Sequence, residues 1–118
     1  MLFRSEILAR AAAGDARAEL AREVYLHRLA GSVAAMTAAL GGLDALVFTG
    51  GVGENSAEVR SRAAGRLGFL GVRLDEERNA AGTGDRDIGP PDAGVRTLRI
   101  AAREDIEMAR QVRTVVHP

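Results

Sequence analysis

Glycines stand at residues 50, 51 and 53 in the stretch ALVFTGGVGENSAEVR, which runs from Ala45 to Arg60. An apolar segment precedes them and a charged, helix-like segment follows, so they occupy a predicted strand-to-helix turn. Backbone without side chains lets a phosphate or a ribose approach closely, and the positive end of a helix favours anions. A structural turn that needs glycine at positive φ is the alternative interpretation.

Glu54 complicates a phosphate site, because a carboxylate repels phosphate. Its side chain must therefore point away, cap a backbone group, or meet a metal ion or a hydroxyl such as that of ribose. Asn55 is expected to cap the next helix, with Glu58 completing a capping box, and Ser56 is the alternative cap.

Two known phosphate motifs do not account for the glycines. A P-loop ends in Gly-Lys-Ser/Thr, and the chain contains no lysine. A dinucleotide fingerprint requires Gly-x-Gly-x-x-Gly, but Ser56 stands at the sixth position counted from Gly51. This partial match to the dinucleotide fingerprint is weak, and dinucleotide binding is therefore the second interpretation of the glycines as a small-molecule site.

Hydrophobic periodicity predicts the elements that position the glycines. A short helix is expected over Ser5 to Ala13, and apolar residues at three-to-four spacing predict a long helix from Asp15 to Leu40. Leu43 to Thr49 is expected to be a strand buried on both faces of a parallel or mixed sheet. The helix after the glycines should end near Arg66.

The second half of the chain is predicted to continue the alternation. Phe69 to Asp75 is expected to be a strand, and Glu76 to Gly94 a surface loop in which Asp85 to Asp87 carry solvated charge. A third strand between Val95 and Ile100 precedes a final helix that opens with Arg103-Glu104-Asp105. Strands alternating with helices indicate an α/β layered sheet.

Composition narrows the function classes. The chain has 118 residues, is 47% hydrophobic and carries no net charge, which suits one domain and disfavours partners such as nucleic acid or an anionic membrane. Its longest uncharged run, Leu29 to Leu43, is too short to span a bilayer. The absence of cysteine excludes thiolate metal sites and agrees with a cytoplasmic location.

Three segments closely resemble the C-terminal part of the acetokinase family of acetate, propionate and butyrate kinases: LDALVFTGGVGENSAEVR, LGFLGVRLDEERNAA and REDIEMAR. The residues before them resemble the long helix that precedes this family's adenosine loop. The resemblance implies that residues 1–118 are part of the C-terminal RNase H-like domain of the actin-like ATPase and sugar kinase superfamily, with the first domain absent.

The resemblance also implies an activity and its ligands. Family members reversibly transfer the γ-phosphoryl group of ATP to acetate, which yields acetyl phosphate and ADP, and they use Mg²⁺. By resemblance, the adenosine-contacting residues are Gly51, Val52, Gly53, Glu54 and Asn55. Glu104 matches a glutamate associated with the magnesium ion, a suitable ligand for a hard cation.

Two departures from the family pattern affect these expectations. The family's aspartate is absent before Phe3 and Arg4, which leaves Arg4 a weak nucleotide candidate. Before Glu104 the family commonly has Pro-Thr-Asn or Pro-Thr-Asp, but this chain has Ala101-Ala102-Arg103. The turn into the last helix is therefore expected to be shaped differently.

The resemblance places the phosphate-gripping loops and the charge-stabilising histidine and arginines in the first domain. No catalytic residue is therefore assigned here, and we expect the chain alone to be inactive and a short-chain carboxylate to bind only with the missing domain. The full-length family member is expected to be a homodimer. A second hypothesis is a non-catalytic remnant or subunit that binds a separately encoded first half.

Overall fold

The structure, a computed structural model, describes residues 2–117 and the side chains of residues 5–117. In chain order the elements are α1 (Leu2–Ala12), α2 (Ala16–Leu40), β1 (Ala45–Phe48), α3 (Gly50–Asn55), α4 (Ala57–Arg66), a 3-10 helix (Gly68–Leu70), α5 (Glu76–Ala80), β2 (Arg86–Asp87), β3 (Arg96–Arg99) and α6 (Glu104–Val116).

The long predicted helix is confirmed as α2. Asp15 caps its first turn by accepting the N–H groups of Arg17 at 3.0 Å and Ala18 at 3.1 Å. Gly41 ends it in the left-handed region, with φ at 75°. None of the described helices is both long and apolar enough to cross a membrane.

The sheet has the strand order β1-β3-β2 within the described residues. β1 pairs with β3 in parallel and β2 pairs with β3 in antiparallel fashion, which confirms the mixed sheet. The prediction that the first strand is buried on both faces is wrong, since Val47 is 44% exposed. The hydrophobic core packs on the face that carries Leu46 and Phe48.

The core joins α2 and α4 to the sheet in two clusters. The first contains Leu26, Phe48, Val59, Ala63 and Ile88. The second contains Ala64, Leu67, Val72 and Val95. These contacts fix the end of β1 and the start of α4, and the short glycine-rich helix α3 lies between them.

Two sequence predictions about the second half are wrong. Phe69 to Asp75 is not a strand: it begins in the 3-10 helix, Gly71 turns the chain at φ 91°, and only Val72 forms an isolated bridge. The expected loop from Glu76 to Gly94 contains α5 and β2. Asp75 caps α5 by accepting the Arg78 N–H at 3.0 Å, and β2 pairs with β3.

Replacing Leu26 tests the described core. Leu26 is 0% exposed, so we expect Leu26→Ala to lower the free energy of unfolding by about 2–5 kcal/mol. Leu20→Ala on the same helix is the control, because Leu20 is 65% exposed and the expected change is below about 0.5 kcal/mol. Urea unfolding followed by circular dichroism measures both, and equal losses would contradict this packing.

Candidate functional site

The parallel strands β1 and β3 bring the two predicted ligand segments together. Phe48 at the end of β1 lies beside Arg99 at the end of β3, and the Ile100 N–H donates to the Phe48 carbonyl at 3.0 Å. α3 follows β1 closely, and the turn into α6 follows β3. The glycine-rich segment and Glu104 therefore follow strand ends at one edge of the sheet, where α/β proteins commonly bind ligands.

The glycine-rich segment is a short helix rather than an open turn. Gly50 has φ at 74°, a conformation that L side chains rarely adopt, so glycine lets the chain leave β1 and enter α3. The Gly50 N–H donates to Oε1 of Glu54 at 2.8 Å. Of the alternatives given for the Glu54 side chain, capping a backbone group is the one observed, so the Gly50 N–H is not free to bind a phosphate.

Ser56, the alternative candidate, caps the following helix. Its hydroxyl oxygen accepts the Val59 N–H at 3.2 Å. Asn55 instead ends α3, and its side-chain amide donates to the Gly51 carbonyl at 2.8 Å. The predicted capping box of Asn55 and Glu58 is wrong, because the boundary between the two helices falls one residue later.

A buried arginine, Arg60 of α4, holds the carboxyl end of α3. It is 3% exposed, and its Nη1 donates to the carbonyls of Gly53 at 2.9 Å and Glu54 at 2.8 Å. The same guanidinium donates to the side chain of Asn79 at 2.7 Å and to its carbonyl at 2.9 Å. Arg60 therefore connects the glycine-rich helix to α5.

The four acceptors around Arg60 are all neutral. Burial lowers the pKa of Arg60 from its usual value, and the like charges of Arg99 and Arg86 lower it further. The forked guanidinium thus acts here through its directed donors rather than through an ion pair. Sequence reasoning missed this residue, although Arg60 precedes Ala63 and Ala64 by three and four positions, which places it on the buried face of α4.

A cavity of about 380 Å³ opens beside α3, which is a typical size for a small-molecule site. Its wall is mostly apolar, and among the predicted nucleotide residues Val52 lines it. The side chain of Arg4 lies outside the described residues. The lining residues are Ile7, Leu8, Ala21, Arg22, Tyr25, Val52 and Val59.

Arg22 provides a fixed cation in the cavity wall. It is 5% exposed and donates to the carboxylates of Glu19 and, at 2.5 Å, of Glu58. The hydrogen bond to Glu19 raises the pKa of Arg22 against the opposing effect of burial. Its Nε has no hydrogen-bond partner among the described residues.

Glu104 is the exposed first residue of α6. The described residues contain no group of three histidine, aspartate or glutamate side chains that could hold a metal ion. A single carboxylate nevertheless fits Mg²⁺, which proteins often bind through one or two carboxylates together with water and substrate phosphates. The donor set is therefore compatible with a magnesium ion that a nucleotide carries.

Asp85 holds the turn that precedes α6. Its carboxylate accepts the Ala101 N–H at 2.8 Å and a guanidinium N–H of Arg103 at 2.7 Å. These two hydrogen bonds, the backbone one first, lower the pKa of Asp85 below its usual 3.8. The expectation of merely solvated charge is wrong for this run, since Arg86 and Asp87 also form hydrogen bonds within the fold.

Comparison with known proteins gives one consistent family. A family model described as the acetokinase family matches residues 3–110. The acetate kinases of Gloeobacter violaceus and Gloeothece citriformis are 52% and 50% identical over 98 residues, or 83% of this chain. The chain spans about a quarter of these relatives, 24% of each.

Solved structures agree with the sequence comparison. The acetate kinase of Porphyromonas gingivalis matches 96% of this chain and 29% of its own, with a TM-score of 0.84 at 33% identity. The propionate kinase of Francisella tularensis matches 90% of this chain and 27% of its own, with a TM-score of 0.80 at 36% identity. The predicted α/β fold class and the family resemblance are both confirmed.

Removing the Arg60 guanidinium should destabilise the fold, because this group holds the carboxyl end of α3. We expect Arg60→Ala to lower the free energy of unfolding by about 3 kcal/mol, because buried carbonyls lose their donors. Arg62→Ala is the control: its side chain is 41% exposed on the same helix, and the expected loss is below about 1 kcal/mol. Chemical denaturation measures both, and a loss for Arg60→Ala no larger than the control would refute the structural role.

The hydrogen bonds of Asp85 predict that the stability of the fold depends on pH. Because the folded-state pKa lies below 3.8, these contacts stabilise the fold above that pH, and the stabilisation is lost as pH falls through the lowered pKa. A carboxyl-carbon NMR titration should give a midpoint below 3.8. Arg103→Ala should move it part of the way back, since the Ala101 N–H remains. A wild-type midpoint at or above 3.8 would contradict the contacts.

Proposed function

This chain belongs to the acetokinase family, and we propose that it forms the nucleotide-binding part of an ATP:carboxylate phosphotransferase. In this reaction the γ-phosphoryl group of ATP passes to an oxygen of a carboxylate such as acetate, which gives ADP and an acyl phosphate, and the reverse reaction also occurs. The complete activity is assigned to a protein of the relatives' full length, of which this chain spans 24%.

The single observation that carries the proposal is the mostly apolar cavity lined by Val52 of α3, the helix that follows β1. We assign the adenine base to this cavity, in contact with Val52 and Val59. The backbone of Gly51, Val52, Gly53, Glu54 and Asn55 is assigned to the ribose side. The Glu54 carboxylate already accepts two backbone N–H groups, so we assign it no direct contact with the ligand.

Glu104 is proposed to hold the magnesium ion that accompanies ATP or ADP. When bound, magnesium neutralises charge on the phosphate oxygens. In this proposal the nucleotide binds beside α3, which follows β1, and its phosphates point toward the turn that follows β3 and carries Glu104. A cytoplasmic location follows from the need for ATP.

The chain alone is proposed to bind nucleotide without turning it over. Phosphoryl transfer depends on positioning and on electrostatic clamping of the transferring group. The family resemblance assigns those clamps, the carboxylate pocket and the homodimer to the full-length protein. The identity of the carboxylate is thus set outside these 118 residues.

A second candidate function is a non-catalytic subunit that binds a separately encoded remainder of the family chain. The observation that favours it is the apolar exposure of α6, where Ile106 is 54%, Val112 58% and Val115 79% exposed. Such surface commonly marks an interaction site. A chain that binds no nucleotide alone but does so after mixing with that remainder would favour this candidate.

Calorimetric titration with ATP in Mg²⁺ tests the cavity assignment. We expect saturable binding by the wild-type chain and a loss of at least about tenfold in affinity for Val52→Asp, because a carboxylate in an apolar wall is costly. Val112→Asp on exposed α6 is the control and should bind like wild type. Equal affinities for both variants, with folding verified by circular dichroism, would refute the assignment.

A turnover assay tests the proposed inactivity. The purified chain, given ATP, Mg²⁺ and acetate, should form no acyl phosphate that hydroxylamine can trap above the level of a no-protein blank. A full-length acetate kinase in the same assay is the positive control. Product formation that scales with the concentration of the purified chain would overturn the proposal.

A further inference from the structure

The Glu54 side chain links two segments that are distant in sequence. Its Oε1 accepts the N–H of Gly50 at 2.8 Å and the N–H of Ala102 at 2.7 Å. Gly50 begins α3, and Ala102 lies two positions before Glu104. One carboxylate oxygen therefore joins the proposed nucleotide segment to the turn that carries the proposed metal residue.

The main chain of Glu54 is fixed as firmly as its side chain. Its carbonyl accepts Nη1 of Arg60 at 2.8 Å and Nε of Arg99 at 2.7 Å. Both arginines are buried, at 3% and 6% exposure. Because the backbone is held from two sides, the carboxylate has a defined position relative to α4 and β3.

The turn after β3 donates three successive N–H groups to three different segments. Ile100 donates to the Phe48 carbonyl at 3.0 Å, and Ala101 donates to Asp85 at 2.8 Å. The third donor, Ala102, bonds to Glu54. The first two bonds secure the turn to β1 and to the segment before β2, and the third secures it to α3.

We propose that Glu54 is a positioning residue that orders the nucleotide segment and the turn before Glu104 as one unit. The inference rests on the proposed function for the identity of the two ligands. Nucleotide held at α3 and magnesium held at Glu104 then strengthen each other's binding through the two N–H bonds of one carboxylate. Glu54 acts here through its hydrogen bonds, without touching the phosphates.

Three variants of the full 118-residue chain separate this role from simple stabilisation. Glu54→Ala removes both acceptor contacts, whereas Glu54→Gln keeps an amide oxygen that can accept the same two N–H groups. Glu77→Ala, an exposed position in α5, is the matched control. Amide hydrogen exchange reports on Gly50 and Ala102, and ATP affinity is measured by calorimetry with and without Mg²⁺.

We expect Glu54→Ala to speed exchange of both amides by at least about tenfold while α4 amides stay protected. We also expect it to reduce the gain in ATP affinity that Mg²⁺ provides by at least about fivefold. Glu54→Gln should restore both readouts, and Glu77→Ala should match wild type. A purely structural role would lower affinity equally with and without Mg²⁺.

Two results would overturn the inference. One is an Ala102 amide that stays protected from hydrogen exchange in Glu54→Ala, and the other is a gain in ATP affinity from Mg²⁺ that is equal in Glu54→Ala and wild type. If the wild-type chain binds no ATP under either condition, the proposed function fails. The exchange data then decide the coupling alone, since independent opening of the Gly50 and Ala102 amides contradicts it and joint opening supports it.

Discussion

Parallel pairing of β1 with β3 determines where every candidate ligand residue lies. Because the two strands run in the same direction, the chain leaves both at one edge, and α3 and the turn into α6 become neighbours. An antiparallel pair would have placed them at opposite edges. Main-chain bonds extend the pairing past the start of β1 and past the end of β3: the Arg96 N–H donates to the Asp44 carbonyl and the Ile100 N–H donates to the Phe48 carbonyl, each at 3.0 Å.

Polar side chains, more than apolar packing, give this edge its shape. Glycine at residue 50 permits the tight entry into α3, but the geometry of that helix depends on Glu54 at its first N–H group and on Arg60 at the carbonyls of residues 53 and 54. Asn79 in turn holds Arg60. Such a network fixes the backbone before any ligand arrives, and preorganisation of this kind favours binding because less order must be gained on association.

The elements with strong local signals could be predicted from the sequence. The extent of α2, its Asp15 cap and its Gly41 stop agree with the prediction, and the first-turn acidic residues mark the start of α6. The apolar stripe that predicted α2 does not face the core along its whole length, since Leu20 is 65%, Val24 50% and Leu40 75% exposed. The resemblance to the acetokinase family was correct because it rested on several separate motifs. The glycine-rich segment could be located in the same way, since glycines between an apolar run and a helix are visible in the sequence.

What could not be predicted depends on contacts between distant residues. The segment after Phe69 has strand-like composition, but Gly71 in the left-handed region prevents a continuous strand. Glycines have low helix propensity, so α3 was expected to be an open turn. The bond from Ala102 to Glu54 spans 48 positions, and no local pattern announces such a partner.

The central claim is that a purine nucleotide binds in the cavity beside Val52. Amide chemical-shift mapping of the labelled chain during titration with ATP and Mg²⁺ tests it most directly. The claim predicts that the largest shifts cluster on residues around this cavity, including Leu8, Val52 and Val59. A cluster of shifts on a second apolar groove, whose lining includes Val33 and Met36, or no saturable shift at all, would contradict it.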